Sequence, residues 1–200
     1  MDTNALFKIG YGLYILTAKE DNKDNGCIIN TVMQVTSDPC MIAVAVNKLN
    51  YTNQMIQKTR KFNVSTLSED ATFDVFKHFG FQSGANVNKF ETFYDVKRSL
   101  NGLFYITKDT NSYMSAYVKQ EIDLNTHTLF IAQLVGAEIL SDVPTATYEY
   151  YRNNIKPKQK EEKKSGWRCK ICGYIYEGEN LPPDYICPLC KHGASDFEKI

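Results

Sequence analysis

Apolar residues fall in short runs separated by polar, turn-forming stretches. Tyr11–Thr17 (YGLYILT) is aromatic and aliphatic and gives way to the polar stretch Asp21-Asn22-Lys23-Asp24-Asn25-Gly26. Asn-Gly is a strong hairpin signal because both residues tolerate positive φ, so Asn25-Gly26 is expected to turn the chain into a return strand over Cys27–Val35. Met41–Val46 (MIAVAV) is a continuous apolar run of the length of a buried strand. Tyr51–Thr59 reads as a helix with Met55 and Ile56 inward, and Phe62–Leu67 as another strand. A second helix is expected over Asp70–Phe79, with Ser68 or Glu69 near its N-cap and Phe73, Phe76 and Phe79 on one face. Residues 80–102 are rich in Gly and Asn and read as irregular. Leu103–Thr107, Ser115–Leu124 and Thr128–Leu140 read as further strands. Strands outnumber helices by roughly three to one, and the helices are inserted rather than alternating, which predicts a mainly β fold, a β-barrel with helical decorations, over a doubly wound sheet. There is no internal repeat and no G-x-G-x-x-G.

The segment 156–166 (KPKQKEEKKSG) breaks the pattern. It has nothing to contribute to a core and reads as a charged linker between a domain over 1–155 and a small module over 167–200. As a flexible coil it would span roughly 16–19 Å; a short helical extension is the rival reading, since Lys and Glu favour helix. Of the 200 residues, 43% are hydrophobic and 23% charged, and the formal net charge is zero. That balance supplies no basic field for nucleic acid or anionic membrane. No apolar run approaches the ~18 residues of a membrane span. The N-terminus lacks a basic stretch followed by an apolar one, so a cytoplasmic protein is expected.

The chain has six cysteines. Cys169, Cys172, Cys187 and Cys190 form two C-x-x-C pairs, which in a reducing compartment read as metal ligands before disulfides. Two residues between cysteines let one tight turn aim both sulfurs at a single ion, and two such turns close a tetrahedron. A module of about 35 residues is below the ~40 at which apolar burial alone sustains a fold, so the metal is expected to hold it together. The ligands alone leave zinc and iron open, because S₄ sites take either. His192 reads as a solvated loop residue, since four thiolates already fill the site. The surroundings Cys169-Lys170-Ile171-Cys172-Gly173-Tyr174-Ile175-Tyr176-Glu177-Gly178, followed by Cys187-Pro188-Leu189-Cys190, resemble rubredoxins. That likeness implies one redox-active iron in an Fe(Cys)4 site, with Gly173 letting backbone N–H groups approach sulfur. Trp167, Tyr174, Tyr176 and Phe197 would wrap the site. Residues 173–186 between the pairs make a shorter spacer than in free-standing rubredoxins, closer to the rubredoxin-like domain that ends rubrerythrins.

In the longer domain, Asn25–Pro39, Ala45–Thr52 and Phe62–Leu67 resemble, in order, the strand pair, the loop before a helix and the F-x-V-N/S-x-L strand of the flavin reductase family, an FMN-binding split β-barrel group. The likeness covers roughly residues 3–150 and implies FMN. Asn30, Thr31, Val32, Met33 and Gln34 would line the isoalloxazine edge. Asn47, Lys48 and Thr52 would bind the phosphate where a helix begins and orphan N–H groups point outward. Ser83, in Phe81-Gln82-Ser83-Gly84, matches the family's loop near the flavin. The bland reading of these residues is turns and caps. Thr126-His127-Thr128-Leu129-Phe130-Ile131 resembles a family strand whose histidine lies near nicotinamide and flavin, which makes His127 the catalytic candidate. Asn125-Thr126 stands where Gly-Asp is usual in that strand, and a hydrogen-bonded structural His127 is the rival reading. Cys27 and Cys40 read as ordinary small buried residues.

The whole chain resembles the high-molecular-weight rubredoxins of anaerobes, a flavin reductase domain fused to a rubredoxin. The resemblance implies an enzyme that moves electrons from NAD(P)H through FMN to iron, a flavodiiron protein reducing oxygen or nitric oxide as partner, and a homodimer formed through the barrel. Two alternatives stand beside it: a free flavin reductase with a structural zinc ribbon, and a non-enzymatic carrier reduced by another protein.

Overall fold

The computed structural model describes residues 2–157 and 166–200. They fall into two compact units, Met1–Lys156 and Pro157–Ile200. Residues 158–165, most of the expected linker, lie outside the described residues.

The larger unit is mainly β, as the pattern predicts. Its strands are β1 (Tyr14–Glu20), β2 (Lys23–Ile29), β3 (Val32–Ser37), β4 (Cys40–Asn47), β5 (Lys61–Leu67), β6 (Val96–Arg98), β7 (Phe104–Ile106), β8 (Thr110–Leu124) and β9 (His127–Ile139). Helix α1 (Tyr51–Thr59) precedes β5 and helix α2 (Phe73–Gly80) follows it. Seven strands make one sheet in the order β2-β1-β5-β8-β9-β4-β3, and β6 pairs with β7. Every pair in the large sheet is antiparallel. One core cluster draws Leu16 from β1, Ile29 from β2, Val44 from β4, Phe62 from β5, Ala116 from β8 and Phe130 from β9, with Val32 of the far edge strand packed against it. Members of both edges share one interior, so the sheet curls upon itself. Met55 and Ile56 of α1 are fully buried in that interior, which is why the helix carries its apolar residues on a single side.

Strand β1 is buried on both faces. Leu16 and Ala18 face the barrel interior, while Ile15 joins a second cluster with Val75, Phe76 and Phe79 of α2. A helical turn at Tyr148–Tyr150, continuing as a wider turn over Tyr151–Ile155, covers this outer layer, and Phe76 meets Tyr151 with ring centroids 4.4 Å apart.

Three local expectations are corrected. The β1–β2 turn is at Asp21-Asn22, with Asp21 in the left-handed region (φ 50°), whereas Asn25 and Gly26 lie inside β2 opposite Ala18 and Thr17. Gly26 is there because Phe79 packs on it: a Cβ would stand 3.2 Å from the ring. Helix α2 begins at Phe73 after Thr72, not near Ser68 or Glu69, because the backbone of those two residues is already engaged. Ser68 N–H donates to the Asp109 carbonyl and Glu69 N–H to that of Pro144, each at 2.9 Å. The expected return strand Cys27–Val35 is two strands: the chain leaves β1 at Ile29 and joins β4 at Val32.

Lys89 is almost fully buried. Its ammonium donates to the carbonyls of Gly26 and Phe79, both at 2.8 Å, so it closes the C-terminal end of α2 and ties the following loop to β2.

In the smaller unit β10 (Trp167–Cys169) lies between β11 (Ile175–Tyr176) and β12 (Phe197–Lys199). Its buried core consists of Cys169, Cys187 and Phe197, with Trp167, Tyr174, Tyr176 and Tyr185 against them. The expected aromatic wrap is present, and Tyr185 adds a member, 4.7 Å from Tyr176 and 5.5 Å from Phe197 between ring centroids. Among the described residues no helix is long and apolar enough to cross a membrane.

Replacing Lys89 by Met strands two buried carbonyls that had a charged donor. Urea unfolding followed by far-UV circular dichroism should show a loss of about 1–3 kcal/mol; an unchanged midpoint would mean that the bonds are replaced at no cost.

Candidate functional site

The two C-x-x-C turns place four sulfurs together. All four Sγ atoms lie within 4.8 Å of one another. The Cys169–Cys190 and Cys172–Cys187 sulfur pairs are 3.5 and 3.4 Å apart. Metal–sulfur bonds of ~2.3 Å put tetrahedral sulfurs roughly 3.8 Å apart, so the donor set fits one tetrahedral ion. Cys169 and Cys187, the first of each pair, are buried, and Cys172 and Cys190 are partly exposed.

Local backbone folding makes this arrangement. Cys169 C=O accepts from Gly173 N–H at 2.8 Å and Cys187 C=O from Lys191 N–H at 2.9 Å, closing each turn. Cys172 sulfur accepts from the N–H of Tyr174, Cys187 sulfur from those of Cys190 and Leu189, and Cys190 sulfur from that of His192. Such donors stabilise sulfur as thiolate. The Cys187 thiol is held far below its ordinary range, first by its sulfur contacts with Cys172 and Cys190, then by those amides. The same sulfur contacts push Cys172 and Cys190 up. One thiolate among crowded sulfurs opposes the next ionisation, and only a cation lets all four ionise together. His192 builds the turn: its Nδ1 lies 3.0 Å from Cys190 O, and its carbonyl accepts from Cys187 N–H.

In the larger unit Asn47, Lys48, Thr52 and His127, of the residues expected around a flavin, lie about the start of α1. Asn47 pairs with His127 across β4 and β9. Lys48 reaches both carboxylate oxygens of Asp123 at 2.7 Å, and this lowers the Asp123 carboxyl below its usual range. His127 Nδ1 lies 2.9 Å from Thr126 Oγ1. The Asn50 side chain does not cap α1; Asn47 takes the Leu49 and Asn50 N–H groups through its Oδ1 and carbonyl, and Asn53 N–H donates to the Asn50 carbonyl at 2.9 Å, so the amides of Tyr51 and Thr52 are the ones open to another acceptor. Thr52 is fully buried, and its hydroxyl accepts from Asn25 Nδ2 at 2.9 Å. Gly84 packs so closely on Asn25 that a Cβ would stand 2.1 Å from Oδ1, and this places the neighbouring Ser83 beside the same cluster. Asn30 and Thr31 are half-buried, and Thr31 Oγ1 donates to Ala45 O at 2.5 Å. Val32 is half-buried, whereas Met33 and Gln34 are exposed farther along β3. These last residues lie on the edge strand rather than at the helix start. The lone cysteines differ. Cys27 is in the core and burial raises its thiol pKa, while Cys40 is only half-buried.

Three residues of this region were not among the site candidates read from the sequence. Asn53 is buried, donating from Nδ2 to Val46 O at 2.9 Å and joining α1 to β4. A polar residue on the inward side of a helix is the signal that could have found it. Asn25 and Asp123 carry no comparable local signal, because their roles depend on partners remote in sequence.

Residues 6–159 match the flavin reductase like domain family, and residues 167–198 the rubredoxin-like domain of rubrerythrin. The chain is 36% identical to the high molecular weight rubredoxin of Moorella thermoacetica over the full length of both. It is 37% identical over 151 residues to the ferric-chelate reductase (NAD(P)H) of Archaeoglobus fulgidus, covering 76% of this chain and 89% of that one. Among solved structures, the flavin reductase PheA2 superimposes with a TM-score of 0.60 at 26% identity, covering 72% of this chain and 92% of that one.

Of the three buried members of the small core, two are metal ligands, so the ion and the fold should be lost together. Cys187→Ser should abolish stoichiometric metal and the amide protection of β10–β12 while leaving that of β1–β9. Metal analysis and hydrogen exchange read both. Retained protection in a metal-free variant would show that the aromatic residues suffice.

Proposed function

The chain belongs to the flavin reductase-like domain family and carries a rubredoxin-like iron domain behind it, and from that premise we propose a cytoplasmic electron-transfer flavoprotein that takes electrons from NAD(P)H through FMN to an iron–tetrathiolate site. The acceptor beyond it would be a redox protein such as a flavodiiron oxygen or nitric oxide reductase. The observation that carries the reading is the four-sulfur cluster, of tetrahedral size, in the same chain as a flavin reductase-like unit. Flavin held at the start of α1 would supply the conversion of a two-electron hydride donor into single electrons, and iron held by the four cysteines would supply a one-electron acceptor.

The residues have separable tasks. The uncapped start of α1, with Asn47 and Lys48, would hold the FMN phosphate. Thr52 and Ser83 would act from behind, through Asn25 and Gly84, by fixing the helix and loop. Asn30, Thr31, Val32, Met33 and Gln34 would lie along the ring edge. His127, held by Thr126, would orient the nicotinamide. Cys169, Cys172, Cys187 and Cys190 would hold the iron. The exposed edge strand β3, with Met33 63% and Val35 39% exposed, supports a homodimer that covers it. The linker 156–166 would tether the two modules, raising the iron site to an effective millimolar concentration near the flavin.

A plain flavin reductase is the second reading, favoured by the ferric-chelate reductase relative, whose likeness covers 76% of this chain. Stopped-flow mixing with NADH or NADPH separates the two. In the tethered reading the ferric–thiolate absorption bleaches in a first-order step independent of protein concentration, and cleavage near Lys160 makes it second order. A site holding zinc, or bleaching at the same rate and order after cleavage, would reject internal transfer. Separately, Lys48→Ala should weaken FMN by about 1–3 kcal/mol, the range for losing a charge-assisted hydrogen bond, and leave riboflavin nearly unaffected. Equal losses for both flavins, read by fluorescence titration, would remove Lys48 from the phosphate.

A further inference from the structure

The two cysteine turns repeat each other bond for bond. In each, the first cysteine gives its carbonyl to the N–H four residues on, Gly173 or Lys191, and its N–H to the carbonyl five residues on, Tyr174 or His192. Both fourth residues adopt positive φ, 77° at Gly173 and 63° at Lys191. Glycine is the residue suited to that conformation. The second turn uses lysine instead, so a side chain stands where the backbone alone would favour none.

That side chain has a specific partner. Lys191 Nζ donates to the Pro188 carbonyl at 3.0 Å. The same peptide unit carries the Leu189 N–H, one of the donors to Cys187 sulfur. Ammonium, carbonyl, amide and sulfur therefore form one continuous hydrogen-bonded chain across a planar peptide, in which a cation at the oxygen end strengthens the donor at the nitrogen end. The first turn has no equivalent, since Gly173 has no side chain to reach the Lys170–Ile171 peptide. Four thiolates and one iron carry a net negative charge that grows by one on reduction, so a nearby cation and a stronger N–H donor favour the reduced form.

We propose that Lys191 is a positioning residue of the iron site, acting through the Pro188–Leu189 peptide on Cys187 to raise the site's reduction potential. The inference rests on the iron electron-transfer reading above. Its test is a spectroelectrochemical titration of the full iron-loaded chain beside Lys191→Gly, Lys191→Gln and Lys191→Arg. Gly suits the backbone here, as Gly173 shows in the equivalent turn, so that variant should fold and retain iron. The midpoint should shift downward in the Gly and Gln variants, lowering the reduced fraction at a fixed potential several-fold, and return toward the original in the Arg variant. A merely structural lysine would change thermal stability or iron retention and leave the midpoint in place. Iron-loaded Gly and Gln variants with the original midpoint would overturn this inference alone. An unaltered chain without ferric–thiolate absorption would overturn the electron-transfer reading and this inference with it.

Discussion

Four sulfurs within 4.8 Å of one another are the constraint on which the smaller unit depends. Without a cation they resist joint ionisation, and with one they become the centre of a core that otherwise has only Phe197 fully buried. The three short strands and the aromatic residues arrange themselves around that centre. Binding and folding would therefore be one event here, as in other small metal-held domains. The same turns that aim the sulfurs also aim backbone N–H groups at them, so the devices that fold the module are the ones that set its electronic character.

The larger unit solves the opposite problem, with ample apolar surface and a need for polar joints. Its curled sheet buries Leu16, Phe62 and Phe130 on the inside, and α2 covers the outside of β1. Where helix, strand and loop meet, the contacts are polar and directional: Asn25 with Thr52, Asn53 with Val46, Lys89 with Gly26 and Phe79. Pairing of such buried groups favours one arrangement of the elements that carry them, although Asn25 Oδ1 itself has no partner among the described residues. The start of α1 is held by two such joints, so the fold sets its position.

Fold class was legible because strand periodicity and strand lengths are local properties. MIAVAV has the length of a buried strand and forms one, and Met55 and Ile56, read as inward, are fully buried. What misled was Asn25-Gly26, whose turn chemistry is real but whose glycine serves a long-range contact with Phe79. The start of α2 was misplaced for the same reason, since the segment 144–145 captures Ser68 and Glu69 from far along the chain. The gathering of the four cysteines was legible because C-x-x-C spacing encodes its own geometry. The region at α1 was legible only as a set of residue types. That Thr52 faces Asn25 rather than solvent, and that Lys48 faces Asp123, are facts of tertiary pairing.

The pairing of Lys48 with Asp123 bears on what such a site requires. The pair is exposed, with side-chain exposures of 36% and 74%, and exposed pairs contribute only about 0–1 kcal/mol. A phosphate at the proposed site would replace Asp123 at little cost, because its charge is larger and the Tyr51 and Thr52 amides would add donors that the carboxylate does not engage. Asp123 sits near the tip of the β8–β9 hairpin, and Lys48 N–H bonds the Thr126 carbonyl of that same tip at 3.0 Å. The hairpin therefore holds the Lys48 backbone, immediately before α1, independently of the side-chain pair. Nearby, Thr126 holds the His127 ring by Nδ1. One short turn thus contacts both Lys48 and His127, the residues proposed for the phosphate and the nicotinamide, and ties both to the strand that leads into α1.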